Sequence, residues 1–308
     1  MENCSKVEEF ILLGLTNSPE LQVPLFIIFT IIYFITLVGN LGLLFLISWD
    51  SHLHTPMNIF LSNLSLADLG YSSAITSKVL PGFHSGDKTT SYGGCAMCFA
   101  TIESYLLAAM AYDHQVAVCK PLHYHTTMTS RVCAHLAIGC YVCGFLNSST
   151  FTGNTFTLHF CHSNVIHHFF GDIPPLFVLS SSVTYINQLV VLFSVVFHSL
   201  FALFFILKSY FLIFNAILSM CSSEGHQKAF STCATHLTAV SIFYGTAIFT
   251  YLHTITRHNT DTDKIASVFY TMVTPMLNPL VYSLRNKEVM SSFKKIVNKS
   301  KYSLDIFF

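Results

Sequence analysis

The chain has 308 residues, 52% of them hydrophobic, 14% aromatic and only 10% charged, with 29 phenylalanines and a mean hydropathy of +0.57. Soluble domains carry about a quarter charged residues, so one or two soluble domains are a poor reading and the membrane is the expected solvent. Fifteen basic and fifteen acidic side chains leave a formal net charge of zero, which removes the basic footprint of nucleic-acid binding, and no nucleic-acid partner is expected.

A spanning helix needs roughly 20 mostly apolar residues. Seven runs qualify. Residues 24–49 carry no charge; 58–80 carry Asp68 and Lys78; 92–118 carry Glu103 and Asp113; 132–158 carry none. Residues 185–220 hold only Lys208, while 230–252 and 265–284 hold no charge. The interruptions are short, and no internal repeat is visible, so the chain reads as one helical domain. The expected fold is an all-α membrane protein: residues 1–23 as an outer N-terminal segment, 24–284 as a seven-helix bundle, and 285–308 as an inner tail.

Orientation follows from Lys and Arg in the connections. With the N-terminus outside, the outer segments hold Lys6, Lys88, Arg257 and Lys264. The inner ones hold Lys120, Arg131, Lys228, Arg285, Lys287, Lys294, Lys295, Lys299 and Lys301. The excess favours an outside N-terminus and an inside C-terminus, although six of the nine inner charges sit in the tail. The first 23 residues lack the basic start and apolar core of a cleavable leader, so the first span is expected to act as an uncleaved signal. Asn3-Cys4-Ser5 is a glycosylation sequon on the outer side; Asn298-Lys299-Ser300 is another on the inner side, where no glycan is added. The tail from Arg285 to Lys301 mixes basic residues with Phe293, Ile296 and Val297, as a short amphipathic helix on anionic lipid would.

Ionisable groups at membrane depth cost a few kcal/mol and should face the bundle interior. Asn40, Asp68, Glu103 and Asn278 are expected to converge on one polar cluster. Two readings stay open there: a site for a cation with waters, or hydrogen bonding that holds helices together. Asn278-Pro279 breaks the backbone ladder and is either a hinge or ordinary proline tolerance. Ten cysteines do not make a disulfide scaffold, because many lie in apolar runs. His159, Cys161, His162, His167 and His168 crowd the second outer connection; their spacing is no known zinc module, so a polar loop is preferred to a metal site. His198, alone on the apolar fifth run, is a core histidine or a pocket donor. No catalytic set stands out, so neither an enzyme nor a cofactor is expected.

Several segments resemble one family, the vertebrate odorant receptors, which are rhodopsin-like G-protein-coupled receptors of the tetrapod type. They are Glu9 to Thr16 (EFILLGLT), Gly39-Asn40, Leu53 to Asp68 (LHTPMNIFLSNLSLAD), Met110 to Asp113 (MAYD) and Val118 to Tyr124 (VCKPLHY). Ser209-Tyr210, Lys228 to Leu237 (KAFSTCATHL) and Pro275 to Asn286 (PMLNPLVYSLRN) complete the set. The resemblance implies a receptor in the plasma membrane of olfactory cilia that binds a small volatile odorant and activates the heterotrimeric stimulatory olfactory G protein. It implies a pocket lined by Thr101, Ser194, His198, Ala247, Tyr251 and Thr271. Asp113 and the residue after it, with Tyr210, Asn278 and Tyr282, would be the coupling and activation residues.

Four departures from the family pattern stand out. Asp113 is followed by His114 and Gln115 where the family has Arg-Tyr, so an always-charged guanidinium gives way to a shorter imidazole and coupling should be weakened. The outer-loop cysteine expected to pair with Cys95 is Gly171, and the one expected to pair with Cys161 is Ser181. Cys95 and Cys161 are thus left without partners, and a bridge between them is an open alternative. Cys95 lies 18 positions before Asp113, about six fewer than the family pattern, which is about 9 Å of helix removed from the outer half of the third span. The assignment of Thr101 depends most on this shortfall. The competing class is a seven-helix transporter or ion channel, which would also use Asp68, Glu103 and Lys208; it lacks the internal repeat or ring of charges such proteins show.

Overall fold

Each of the seven apolar runs carries a helix. The computed structural model describes residues 10–12, 19–79, 89–90, 94–156, 165–166, 185–219, 223–256, 271–282 and 289–295. Helix α1 spans Pro19–Trp49, α2 Pro56–Val79, α3 Gly94–Cys119, α4 Ser130–Phe156, α5 Tyr185–Leu218 and α6 Ser223–Thr256. Residues 271–282 form α7 and residues 289–295 form α8. Helix α6 extends beyond its apolar run, starting at Ser223. Its first turns carry Glu224 and Lys228, which end a membrane-compatible run without ending a helix.

Among the described residues, three helical segments are long and apolar enough to cross a membrane by length and composition: Gln22–Trp49, Ser130–Asn154 and Leu192–Leu218. Their outward faces are oily. Phe34 on α1 is 65% exposed and Phe193 on α5 is 71% exposed. Soluble monomers rarely leave apolar surface of that extent open, whereas lipid covers it at no cost. Polar and charged residues are instead turned inward: Asn40, Asp68, Glu103, Asp113 and His236 are all buried.

Helix α3 is the central element, with Leu106, Met110 and Ala111 fully buried, and it packs against α2, α4, α5 and α6. Its 26 residues make about 39 Å at 1.5 Å each, so the helix still has spanning length despite the short spacing from Cys95 to Asp113. Two glycines set how closely its neighbours approach. A Cβ on Gly144 of α4 would lie 2.5 Å from Ile102 Cγ1 and 2.9 Å from the Cys98 carbonyl oxygen. One on Gly70 of α2 would meet the Phe99 ring.

Three short strands outside the helices pair into a small sheet. Strand β1 (Phe10–Leu12) runs antiparallel to β2 (Thr89–Thr90) and parallel to β3 (Val165–Ile166). These short segments lie outside the apolar runs and are rich in β-branched and aromatic residues, which suit extended pairing. The sheet brings the N-terminal segment to the same end of the bundle as the α2–α3 and α4–α5 connections.

At the opposite end, Asp50 caps the 3-10 turn Ser51–Leu53 by accepting from the His52 amide at 3.0 Å. Ser292 of α8 donates to its other oxygen at 2.5 Å. Helix α8 buries Val289 and Ser292 and exposes Phe293, Lys294 and Lys295. That is the two-faced pattern expected of the tail, although the basic stretch beyond residue 295 lies outside the described residues. Asn3, Cys161 and the side chain of Cys95 lie outside them too, as do His159, His162, His167 and His168 of the second outer connection.

Candidate ligand cavity and activation core

Four of the six residues expected to line a pocket do border one cavity, of about 430 Å³: Thr101, His198, Ala247 and Thr271. The cavity lies in the half of the bundle nearer the sheet. Val195, Leu200, Phe243 and Ile248 supply much of its apolar wall. Its size and its mostly apolar lining, with a few polar groups, are those of a small-molecule site. The side chain of Tyr251 lies outside the described residues.

Ser194 is not in the wall. Its hydroxyl donates to Asn147 Oδ1 at 2.6 Å, and Asn147 Nδ2 donates to Thr101 Oγ1 at 2.8 Å. Thr101 in turn donates to the Met97 carbonyl at 2.8 Å. This relay ties α5 to α4 to α3 and commits the polar groups of Ser194 and Thr101 to the protein. Asn147 was missed in the sequence because the apolar run 132–158 carries no charge, yet an amide within an apolar run is itself a signal.

Two further hydroxyl contacts were also missed. Tyr105 Oη lies 2.8 Å from His198 Nδ1, and Ser104 Oγ lies 3.0 Å from Tyr244 Oη. Because the Tyr105 hydroxyl can donate or accept, it permits either tautomer of His198. The other ring nitrogen is correspondingly a donor or an acceptor toward the cavity.

Below the cavity, Asn278 of α7 joins the two buried carboxylates. Its Nδ2 lies 3.1 Å from both Asp68 oxygens and 2.9 Å from Glu103 Oε1. Two amide protons thus serve three carboxylate oxygens. Asn40 does not share these bonds. Pro279 has no N–H to give the Pro275 carbonyl one turn earlier, and Asn40 Nδ2 donates to that oxygen instead, at 3.1 Å. The proline break in α7 is thereby satisfied from α1. Tyr282, one turn beyond Asn278, is fully buried, and its hydroxyl has no partner among the described residues.

At the end away from the sheet, His236 Nε2 donates to the Leu107 carbonyl at 3.0 Å, so its Nδ1, 2.8 Å from the Tyr210 hydroxyl, accepts. His114 sits edge-on to His236, with ring centroids 5.3 Å apart. Its Nε2 is buried without a partner among the described residues. Tyr124 Oη donates to Asp113 Oδ1 at 2.9 Å. Among the described residues no three His, Cys, Asp or Glu side chains come together as metal ligands.

A family model described as olfactory receptor matches residues 29–300. Human olfactory receptor 5B12 is 62% identical over 314 positions that cover all of both chains. Human olfactory receptor 5B3 is 61% identical, covering 99% of each chain, and mouse olfactory receptor 5B21 is 60% identical, covering 97% of this chain and 96% of its own. The seven helical runs, the interhelical cavity and these full-length likenesses agree: this chain belongs to the olfactory receptor family.

Proposed function

We propose that the chain binds a small volatile odorant in the 430 Å³ cavity and passes the signal poorly to its G protein because His114 stands where the family has arginine. As an olfactory receptor it is a multi-pass membrane protein of the G-protein-coupled class and not an enzyme, and the transporter or channel reading is set aside. The finer picture is seven spans with the N-terminus outside, α8 on the inner leaflet lipid, a location in olfactory cilia, and coupling to the stimulatory olfactory G protein.

One observation carries the ligand assignment: Thr101, His198, Ala247 and Thr271, implied by family resemblance, border a single cavity of ligand size. The polar core of Asp68, Glu103 and Asn278 lies between that cavity and the coupling end, where ligand-driven movement of α7 would be felt. The short spacing from Cys95 to Asp113 would bring the odorant against residues such as Ser104, closer to the carboxylates.

Filling the cavity tests the assignment. In Ala247→Trp the responses to a panel of volatiles, read by a conformational reporter on α6, should disappear while surface delivery is unchanged. Responses that persist in that variant place the ligand elsewhere.

A further inference from the structure

Lys208 is the single charge of the fifth apolar run, and on α5 it faces outward among the exposed side chains of Phe204, Leu207 and Phe211. Among the described residues the one ion pair joins His52 to Asp50, so the Lys208 ammonium has no counter-ion there. A charge on the lipid face of a spanning helix is costly unless its stem carries it to the headgroups. The depth of Lys208 suits that reach. Cys119, the last residue of α3, donates through its sulfur to the Leu212 carbonyl at 3.6 Å, which sets the start of the connection carrying Lys120 level with Leu212. Lys208 lies four residues before Leu212, about 6 Å of helix nearer the bilayer centre.

On the same surface, Phe193, Phe197, Phe201 and Phe205 form a ladder of rings with successive centroids 5.9, 5.9 and 4.9 Å apart. Lys208, three residues beyond Phe205, is the next position on that stripe. From Phe197 to Lys208 is about 16 Å of helix, close to one leaflet of a hydrocarbon core roughly 30 Å thick.

We propose that an anionic phospholipid from the leaflet at the coupling end docks on α5, with its acidic headgroup on Lys208 and an acyl chain along Phe205, Phe201 and Phe197. A second copy of the receptor would bring no counter-ion to this depth, because the carboxylates of the apolar runs, Asp68, Glu103 and Asp113, are all buried. The bilayer itself supplies the anion. In a zwitterionic lipid the headgroup's own cation offsets the phosphate, so an acidic headgroup such as phosphatidylserine is preferred.

The test uses the full chain with Trp49→Phe and Phe205→Trp, which leaves one tryptophan, on the stripe, in nanodiscs of phosphatidylcholine at neutral pH. A minor share of the lipid carries a brominated acyl chain, which quenches tryptophan on contact, on either phosphatidylserine or phosphatidylcholine. A basic residue near the headgroups favours acidic lipid about fivefold. Quenching by the brominated phosphatidylserine should therefore be at least threefold that by brominated phosphatidylcholine. Lys208→Leu should bring the ratio near one, and Lys208→Arg should keep it. A ratio below threefold with Lys208 in place overturns the proposal, whether or not the variants fold, and means that the stripe is solvated by lipid without selection. A preference that survives Lys208→Leu belongs to the basic tail and overturns it as well. Weak quenching by both lipids, weaker still at higher receptor density, would put a second copy on the stripe and overturn it too.

Discussion

The Tyr124 hydroxyl donates to Asp113 Oδ1 at 2.9 Å, joining the turn Tyr124–Thr127 to the inner end of α3. Burial, and then the Asp113 carboxylate beside it, hold the Tyr124 phenol well above its ordinary pKa, so it remains an O–H donor at any physiological pH. With no arginine next in sequence, this is the described hydrogen bond that the Asp113 side chain accepts. Replacing Tyr124 with Phe should destabilise the receptor by about 1.5 kcal/mol, the scale of a hydrogen bond to a charged group. Thermal unfolding in detergent checks this, and an unchanged midpoint would mean that water replaces the phenol without loss.

The Ser194–Asn147–Thr101 relay predicts a larger effect. Asn147→Leu leaves the Ser194 donor without its acceptor and Thr101 without its incoming donor in a buried site, at a cost of about 1–3 kcal/mol for each group left unsatisfied. Surface delivery should fall well below that of the unmodified chain. Ser194→Ala, which removes one end of the relay and leaves the Asn147–Thr101 bond, should be milder.

Close packing of α3 and α4 predicts that Gly144→Val is poorly tolerated. The new Cβ would meet not only the movable Ile102 side chain but the backbone oxygen of Cys98, which cannot turn aside. Overpacking of this kind costs about 1–3 kcal/mol or more. Ile102→Ala should rescue only part of the loss in surface delivery, since the backbone contact remains.

Much of this arrangement is legible in the sequence, and the exceptions have physical causes. The seven runs mark where lipid contact is possible, and lipid contact requires helices, so their existence follows from hydropathy. The ends of α6 do not, because Glu224 and Lys228 are excluded from lipid but not from a helix. Family resemblance points to Thr101 and Ser194 as ligand contacts, yet only the fold reveals that both are spent on Asn147. Asp68, Glu103 and Asn278 converge as their cost in a membrane implied. Asn40, expected beside them, answers Pro279 instead, a pairing that depends on the packing of α1 against α7.

Helix α8 is held by a titratable contact outside the spans. The Ser292 hydroxyl, then the His52 amide and ring, lower the Asp50 pKa from 3.8 to about 2. A carboxylate lowered in the folded state stabilises it fully above its ordinary value, and that contribution is lost as pH falls through the folded value. Attachment of residues 289–295, read by amide hydrogen exchange, should therefore be insensitive to Asp50 between about pH 5 and 8. Ser292→Ala should speed exchange there at every pH in that window and return Asp50 toward 3.8. Equal exchange in the two proteins would show that Val289 packing alone anchors the helix.

The central claim is that ligand recognition survives in this receptor while G-protein coupling is weakened at His114, whose buried Nε2 has no partner among the described residues. Its most direct test compares the unmodified chain with His114→Arg at matched surface density, reading cyclic AMP with and without a panel of volatiles. The account predicts at least a tenfold larger evoked response in His114→Arg. Equal, robust signalling by the unmodified chain would contradict it.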